Sequence, residues 1–183
     1  MNAARETILA RIRTALRQPA PTPSRPTNAS IFPPVTDLET RFREEFIALK
    51  GEIITDLPVF LAGFRKIASA VHEVTGNADV READLGVTGC DCLLARTGSI
   101  AVCTRSAGGR ALSVLPPVHL VIARRDQLVP DLIAALALWQ QRYDRHWPSN
   151  LCVITGPSRT GDIEKILVMG AHGPKRLVLY LTD

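Results

Sequence analysis

Thr155-Gly156-Pro157-Ser158-Arg159-Thr160-Gly161-Asp162 joins an apolar run, Leu151 to Ile154, to a segment whose spacing predicts a helix from Thr160 to Met169. These residue types suit an anion. A helix start carries free N–H groups and the positive end of a dipole. Ser158 and Thr160 add hydroxyl donors, and Arg159 offers a forked guanidinium to a carboxylate. In open α/β sheets, ligands bind where the chain leaves the carboxyl end of a strand. The segment lacks the Gly-Lys-Ser/Thr ending of a P-loop and the glycine spacing of a dinucleotide fingerprint. A second reading stays open beside this clamp: Ser158 or Thr160 caps the helix while Asp162 and Glu164 complement its dipole.

Two further loops carry polar groups. Thr97-Gly98-Ser99 precedes the strand Ile100 to Cys103. There a glycine lets the backbone approach a ligand between two hydroxyls, or simply forms a hairpin turn. Gly108-Gly109, next to Arg110, forms a loop able to close over a ligand. His172, between Gly170-Ala171 and Gly173-Pro174, is placed to act as acid, base or donor. It follows the last helix, however, which would set it at the opposite end of the sheet from the clamp. His119 precedes an apolar strand and reads as a hydrogen-bonded core or edge histidine. No metal site is expected, because Asp162 and Glu164 lie two apart on a helix and face different ways. Ser158, His172 and Asp162 would make a triad on paper, but no Gly-x-Ser-x-Gly elbow supports it. No catalytic residue is assigned.

The elements that must position these loops alternate. Thr36 is the expected N-cap of a helix carrying Leu38, Phe42, Phe46 and Leu49, and Glu39 completes a capping box. Asp56 starts a helix to His72. Short buried strands are expected at Val71–Val74, Leu93-Leu94, Ile100–Cys103, Ser113–Leu115 and Leu120–Ala123. A helix from Asp126 to Tyr143, strand Leu151–Ile154, helix Thr160–Met169 and strand Arg176–Leu181 follow. The alternation predicts an α/β domain with a largely parallel sheet flanked by helices, and a βαβ unit over residues 151–182.

Domain boundaries follow composition. Residues 1–17 read as an N-terminal amphipathic helix, residues 18–35 with six prolines as a linker, and residues 36–183 as one α/β domain. The net charge of +4 sits in the arm, where Arg5, Arg11, Arg13, Arg17 and Arg25 face Glu6 alone. A neutral domain with 5% aromatics gives no nucleic-acid surface. The arm suits docking on an acidic partner or on a second copy of the chain; its Arg-rich start also resembles a transit peptide, against which Glu6 counts. No apolar run reaches the roughly 18 residues of a membrane span. Cys90, Cys92, Cys103 and Cys152 show no Cys-x-x-Cys pairing, so they read as small hydrophobes in a reducing cytoplasm, with no cofactor expected on this chain.

At the same loops the chain resembles the lactate utilisation protein C family, whose members contain the LUD domain. The matching stretches are Gly86–Thr88, Arg96–Ile100, Ser113–His119, Ile154–Glu164 and Gly170–Pro174, together with the N-terminal ARETILARIRTAL. Gly161 departs from the alanine expected there. The resemblance implies a fold similar to the ribose-5-phosphate isomerase, glucosamine-6-phosphate deaminase and CoA-transferase group. It also implies a bacterial system that oxidises L-lactate to pyruvate with cysteine-rich and iron–sulfur partner proteins, the clusters residing on those partners. Thr155, Gly156, Ser158, Arg159, Thr160 and Asp162, helped by Thr97, Gly98, Ser99 and His172, are then expected to bind a small anion. The alternatives are a stand-alone isomerase or acyl-transfer enzyme, which would need Glu82 or Glu164 as base, and an assembly factor.

Overall fold

The structure, a computed structural model, describes residues 3–17, 32–72, 74, 78–160, 168–170 and 172–183. It divides into two units, Met1–Pro33 and Pro34–Asp183. In the first, helix α1 (Ala3–Leu16) buries no side chain, and Ile8, Ile12 and Leu16 are exposed. Most of the proline-rich segment, residues 18–31, lies outside the described residues.

The second unit opens with α2 (Leu38–Ala48). Its N-cap is Asp37, not Thr36: Asp37 is extended (φ −117°), and its carboxylate accepts from the Thr40 N–H at 3.0 Å. Glu39 is engaged elsewhere, with Arg43 at 2.8 Å and with Arg125. Strand β1 (Glu52–Ile54) leads to α3 (Leu57–Leu61), capped by Asp56 as expected. That helix ends well short of His72. The chain instead forms β2 (Ile67–Ser69), because Ile67 finds a parallel partner in Leu85 of β3 (Leu85–Thr88). A strand at β3 was not anticipated. Gly86 masks it, and Gly86 is there because the Leu112 carbonyl and Pro116 occupy the space of a side chain.

The middle of the chain holds β4 (Cys92–Leu94), β5 (Ser99–Cys103), β6 (Val118–Arg124), β7 (Leu128–Val129) and α4 (Leu132–Tyr143). Ser113–Leu115 is a turn, with the N–H groups of Val114 and Leu115 both directed to the Ala111 carbonyl. Helix α4 starts six residues later than expected. Leu128-Val129 pairs with β4, and Asp131 caps the helix by accepting from Ala134 N–H at 3.1 Å. The last strands are β8 (Leu151–Ile154), β9 (Arg159–Thr160), β10 (Val168–Met169) and β11 (Arg176–Thr182).

Five strands form a parallel sheet in the order β1-β11-β6-β3-β2, so the largely parallel α/β expectation holds. The second sheet, β7-β4-β5-β8, is mixed, with β5 antiparallel to both β4 and β8. The expected βαβ unit is therefore absent, since β8 and β11 belong to different sheets. The expected helix Thr160–Met169 is also overturned at its described ends. Thr160 pairs with Val168 and Arg159 with Met169 in an antiparallel ribbon; residues 161–167 lie outside the described structure.

Period-2 alternation assigns the layers. Leu177, Leu179, Val121 and Ala123 of the parallel sheet meet Leu93, Ile100 and Val102 of the mixed sheet, with Phe42 and Phe46 of α2, in one buried cluster. Val178, Leu120 and Val87 face the other way, toward Leu57, Phe60 and Leu61 of α3. Cys92, Leu94, Ala101 and Cys103 meet Ala135, Trp139 and Tyr143 of α4. A buried carboxylate ties α4 down: Asp91 accepts from Trp139 Nε1 at 3.0 Å and from the Tyr143 hydroxyl at 2.7 Å, with Arg142 at 3.5 Å. Among the described residues no helix is long and apolar enough to cross a membrane.

Candidate functional site

The antiparallel pairing of Ile100 with Ile154 brings the turn before β5 alongside the loop after β8. Thr97 Oγ1 lies 2.8 Å from Ser99 Oγ, which lies 2.9 Å from Thr155 Oγ1. Three of the expected ligand-binding residues are thus bonded to one another. Gly98 is left-handed (φ 57°), and a side chain there would run into the backbone of Glu45 and Phe46. At Gly156 a side chain would stand 2.9 Å from the Leu49 carbonyl. Both glycines seat the C-terminal end of α2; at Gly98 the close approach is made by this chain's own helix, where a ligand had been expected.

The other half of the expected site faces a hollow. Ser158 N–H donates to the Pro174 carbonyl at 2.9 Å, Gly170 N–H donates to the Ser158 carbonyl at 2.8 Å, and His172 N–H lies 3.4 Å from Ser158 Oγ. The topological objection to His172 fails for one reason: where a helix would have carried the chain across the sheet, the β9–β10 ribbon folds it straight back. The same ribbon removes the basis for a helix dipole at Thr160. Arg159 and Thr160 do not line the hollow. Arg159 is exposed, with a guanidinium nitrogen 3.8 Å from the side-chain position of Gly156. Asp162 lies outside the described residues.

The cavity is about 170 Å³ and is lined by Ser158, His172 and His119 against Val114, Ile154 and Leu177, closed by Gly156-Pro157 and Gly173-Pro174. It sits at the amino-terminal edge of the parallel sheet, where β6 and β11 begin. His119 is fully buried, and its Nε2 lies 2.8 Å from Thr88 Oγ1. Burial holds its pKa down at about 4, so the ring is neutral near pH 7. Its Nδ1 has no hydrogen-bond partner among the described residues. The sequence suggested a hydrogen-bonded core histidine, which is half of what is found. An orphaned nitrogen on a residue that lines a cavity is not visible without coordinates.

A larger hollow of about 440 Å³ opens at the carboxyl-terminal edge, between Ala70, Gly89, Ser106, Arg124, Gln127 and Thr182. Its polar groups are mostly committed. Gln127 bonds Cys90 O and Arg124 N–H, Thr182 bonds Ala123 O, and Arg124 pairs with Asp126. Gly108 packs on Ala70 and Arg110 reaches Ser149 O at 3.5 Å, so that loop is docked. Glu82, a conceivable base, is exposed and paired with Lys66 at 3.0 Å. Among the described residues no three His, Cys, Asp or Glu side chains come together as metal ligands.

Two facing sheets with buried parallel strands and loops gathered at one edge define an α/β protein. The LUD domain model matches residues 33–182, and the chain belongs to that family. Lactate utilization protein C of Oceanobacillus iheyensis is 33% identical over 107 residues, 56% of this chain and 45% of that protein. The protein of the same name from Geobacillus kaustophilus is 35% identical over 111 residues, 58% of this chain and 46% of its own length. The chain thus matches less than half the length of these curated relatives. A DUF162 family protein from Deinococcus radiodurans shares the fold, with a TM-score of 0.58 at 21% identity over 80% of this chain and 96% of that one.

Proposed function

We propose that this chain is the small-carboxylate-binding component of a bacterial L-lactate utilisation system. The observation that carries the reading is the convergence of Ser158, His172 and the Ser113–His119 segment on one hollow. The name shared by the relatives from Oceanobacillus and Geobacillus supports the physiological setting. At about 30 Å³ per water in the liquid, a cavity of this size has room for a molecule of about six non-hydrogen atoms. L-lactate and pyruvate are that size. The apolar wall of Val114, Ile154 and Leu177 suits their methyl group. The Ser158 hydroxyl and the His172 ring are donors for the carboxylate, and Arg159, exposed outside the hollow beside Gly156, adds positive charge nearby. In this reading the chain is not itself the redox component. Cytoplasmic iron–sulfur and cysteine-rich partner proteins take the two electrons removed from lactate, and α1 is the arm that docks on them.

Calorimetric titration of the purified chain with L-lactate and with pyruvate tests the reading. Wild type is expected to bind at least one of them. Ser158→Ala and His172→Ala should each weaken binding about five- to tenfold, the worth of one lost hydrogen bond. Flat titrations of wild type against both acids would overturn it.

A further inference from the structure

His119 is the second residue of β6 and alternates with Leu120 so as to share a face with Val121 and Ala123. Its cross-strand neighbour on β3 is Gly86, with Thr88 two residues further along the same face. From β3 it is therefore the Thr88 side chain that hydrogen-bonds the ring, while Leu177 of β11 lies opposite His119 on the other side. Both residues are fully buried, and the histidine lines the cavity.

Hydrogen-bond counting decides the tautomer. Among the described residues the Thr88 hydroxyl has the His119 Nε2 as its sole side-chain partner. If Nε2–H donated to Thr88, the threonine proton and the bare Nδ1 would both be left unmatched. If the Thr88 hydroxyl donates to Nε2, one polar group is left, the Nδ1–H. Unmatched buried donors and acceptors are costly, and the arrangement with one is preferred to that with two. The ring stays neutral because it is desolvated, so a single N–H remains without a partner among the described residues, on a residue that lines the cavity.

We propose that the His119 Nδ1–H donates to a carboxylate or carbonyl oxygen of the bound ligand, and that Thr88 is the positioning residue that holds the ring in this tautomer. The inference rests on the reading of the cavity as a small-carboxylate site and adds the group that fixes the ligand's orientation at its floor. A fixed donor of this kind selects acceptors: a ligand that presents a pure donor at that point, such as an ammonium, would leave N–H facing H.

Calorimetry of the full chain with L-lactate and pyruvate, combined with imidazole ¹⁵N spectroscopy, tests this. His119→Phe should weaken binding about ten- to a hundredfold, as expected for loss of a hydrogen bond to a charged acceptor. Thr88→Val should weaken it by less, whereas Thr88→Ser, which keeps the hydroxyl, should bind as wild type does. In the free wild-type chain the spectrum should show His119 protonated at Nδ1 and bare at Nε2. That preference should be lost in Thr88→Val and kept in Thr88→Ser. The Thr88 variants and the spectrum decide the matter even if His119→Phe does not fold. A ring protonated at Nε2 in the free chain, or a folded His119→Phe that binds both acids as wild type does, overturns the proposal alone. If wild type binds neither acid, it falls together with the reading on which it rests.

Discussion

His119 couples the site to stability. An isolated histidine titrates near 6.5, and burial lowers this one to about 4. In the pH interval between those values the unfolded chain binds a proton that the folded chain refuses. Stability is therefore fully present above about pH 6.5 and is lost as pH falls toward 4, with about 3 kcal/mol at stake for a group this deeply buried. Glu52 is held below the usual carboxylate range by its hydrogen bonds to Arg176, so its own loss begins only below about pH 4.5. Urea unfolding at pH 7, 5.5 and 4.5 should show a progressive fall, and the fall should flatten in His119→Phe. A profile level across that range in wild type would mean the ring is hydrated. Three of the four thiols, Cys90, Cys92 and Cys103, are buried as small hydrophobes would be. Cys90 and Cys92 are buried and desolvated, with Cys92 pushed up to about 12, so both are neutral and inert near pH 7. Cys152 alone of the four is exposed.

At the scale of elements, the polar loops divide into two roles that their residue types do not distinguish. Thr97, Ser99 and Thr155 bond one another, and Gly98 and Gly156 seat the end of α2, whereas Ser158 and His172 line the cavity that Gly156 also borders. Gly98→Ala tests the first role. Its positive φ and the adjacent Phe46 backbone leave no room for a methyl group, so the variant should lose about 2–4 kcal/mol in denaturant unfolding. Loss of less than about 0.5 kcal/mol would show that α2 is not seated there. The strands β5, β6, β8 and β11 were legible because their apolar runs are continuous and bounded by Gly, Pro or charge. Helix α4 was legible in its body but not at its start, because Leu128-Val129 fits either a helix or a strand and the neighbouring β4 decided. Cross-strand pairing likewise decided Arg159–Thr160 and Val168–Met169.

For the molecule as a whole, the charge and the fold are separable. The net positive charge belongs to the arm, while helix α1 buries nothing and the core clusters draw on residues from Val35 onward. Removing residues 1–33 should leave the melting temperature of the remainder within about 2 °C, given that one kcal/mol corresponds to about 2–4 °C for a domain of this size. A larger fall would place α1 in the folding unit. What the sequence by itself determined is local: which loops are rich in donors, where apolar runs make strands, where charge collects, and which family's stretches are present. The tertiary structure alone decided that β8 joins the mixed sheet, that a ribbon returns His172 to Ser158, and that His119 keeps one nitrogen without a partner. The physical reason is separation along the chain. Thr88 and His119 are 31 residues apart and Ser99 and Thr155 are 56 apart. Whether a polar atom is satisfied depends on which distant strand lies beside it, and periodicity and propensity carry no record of that.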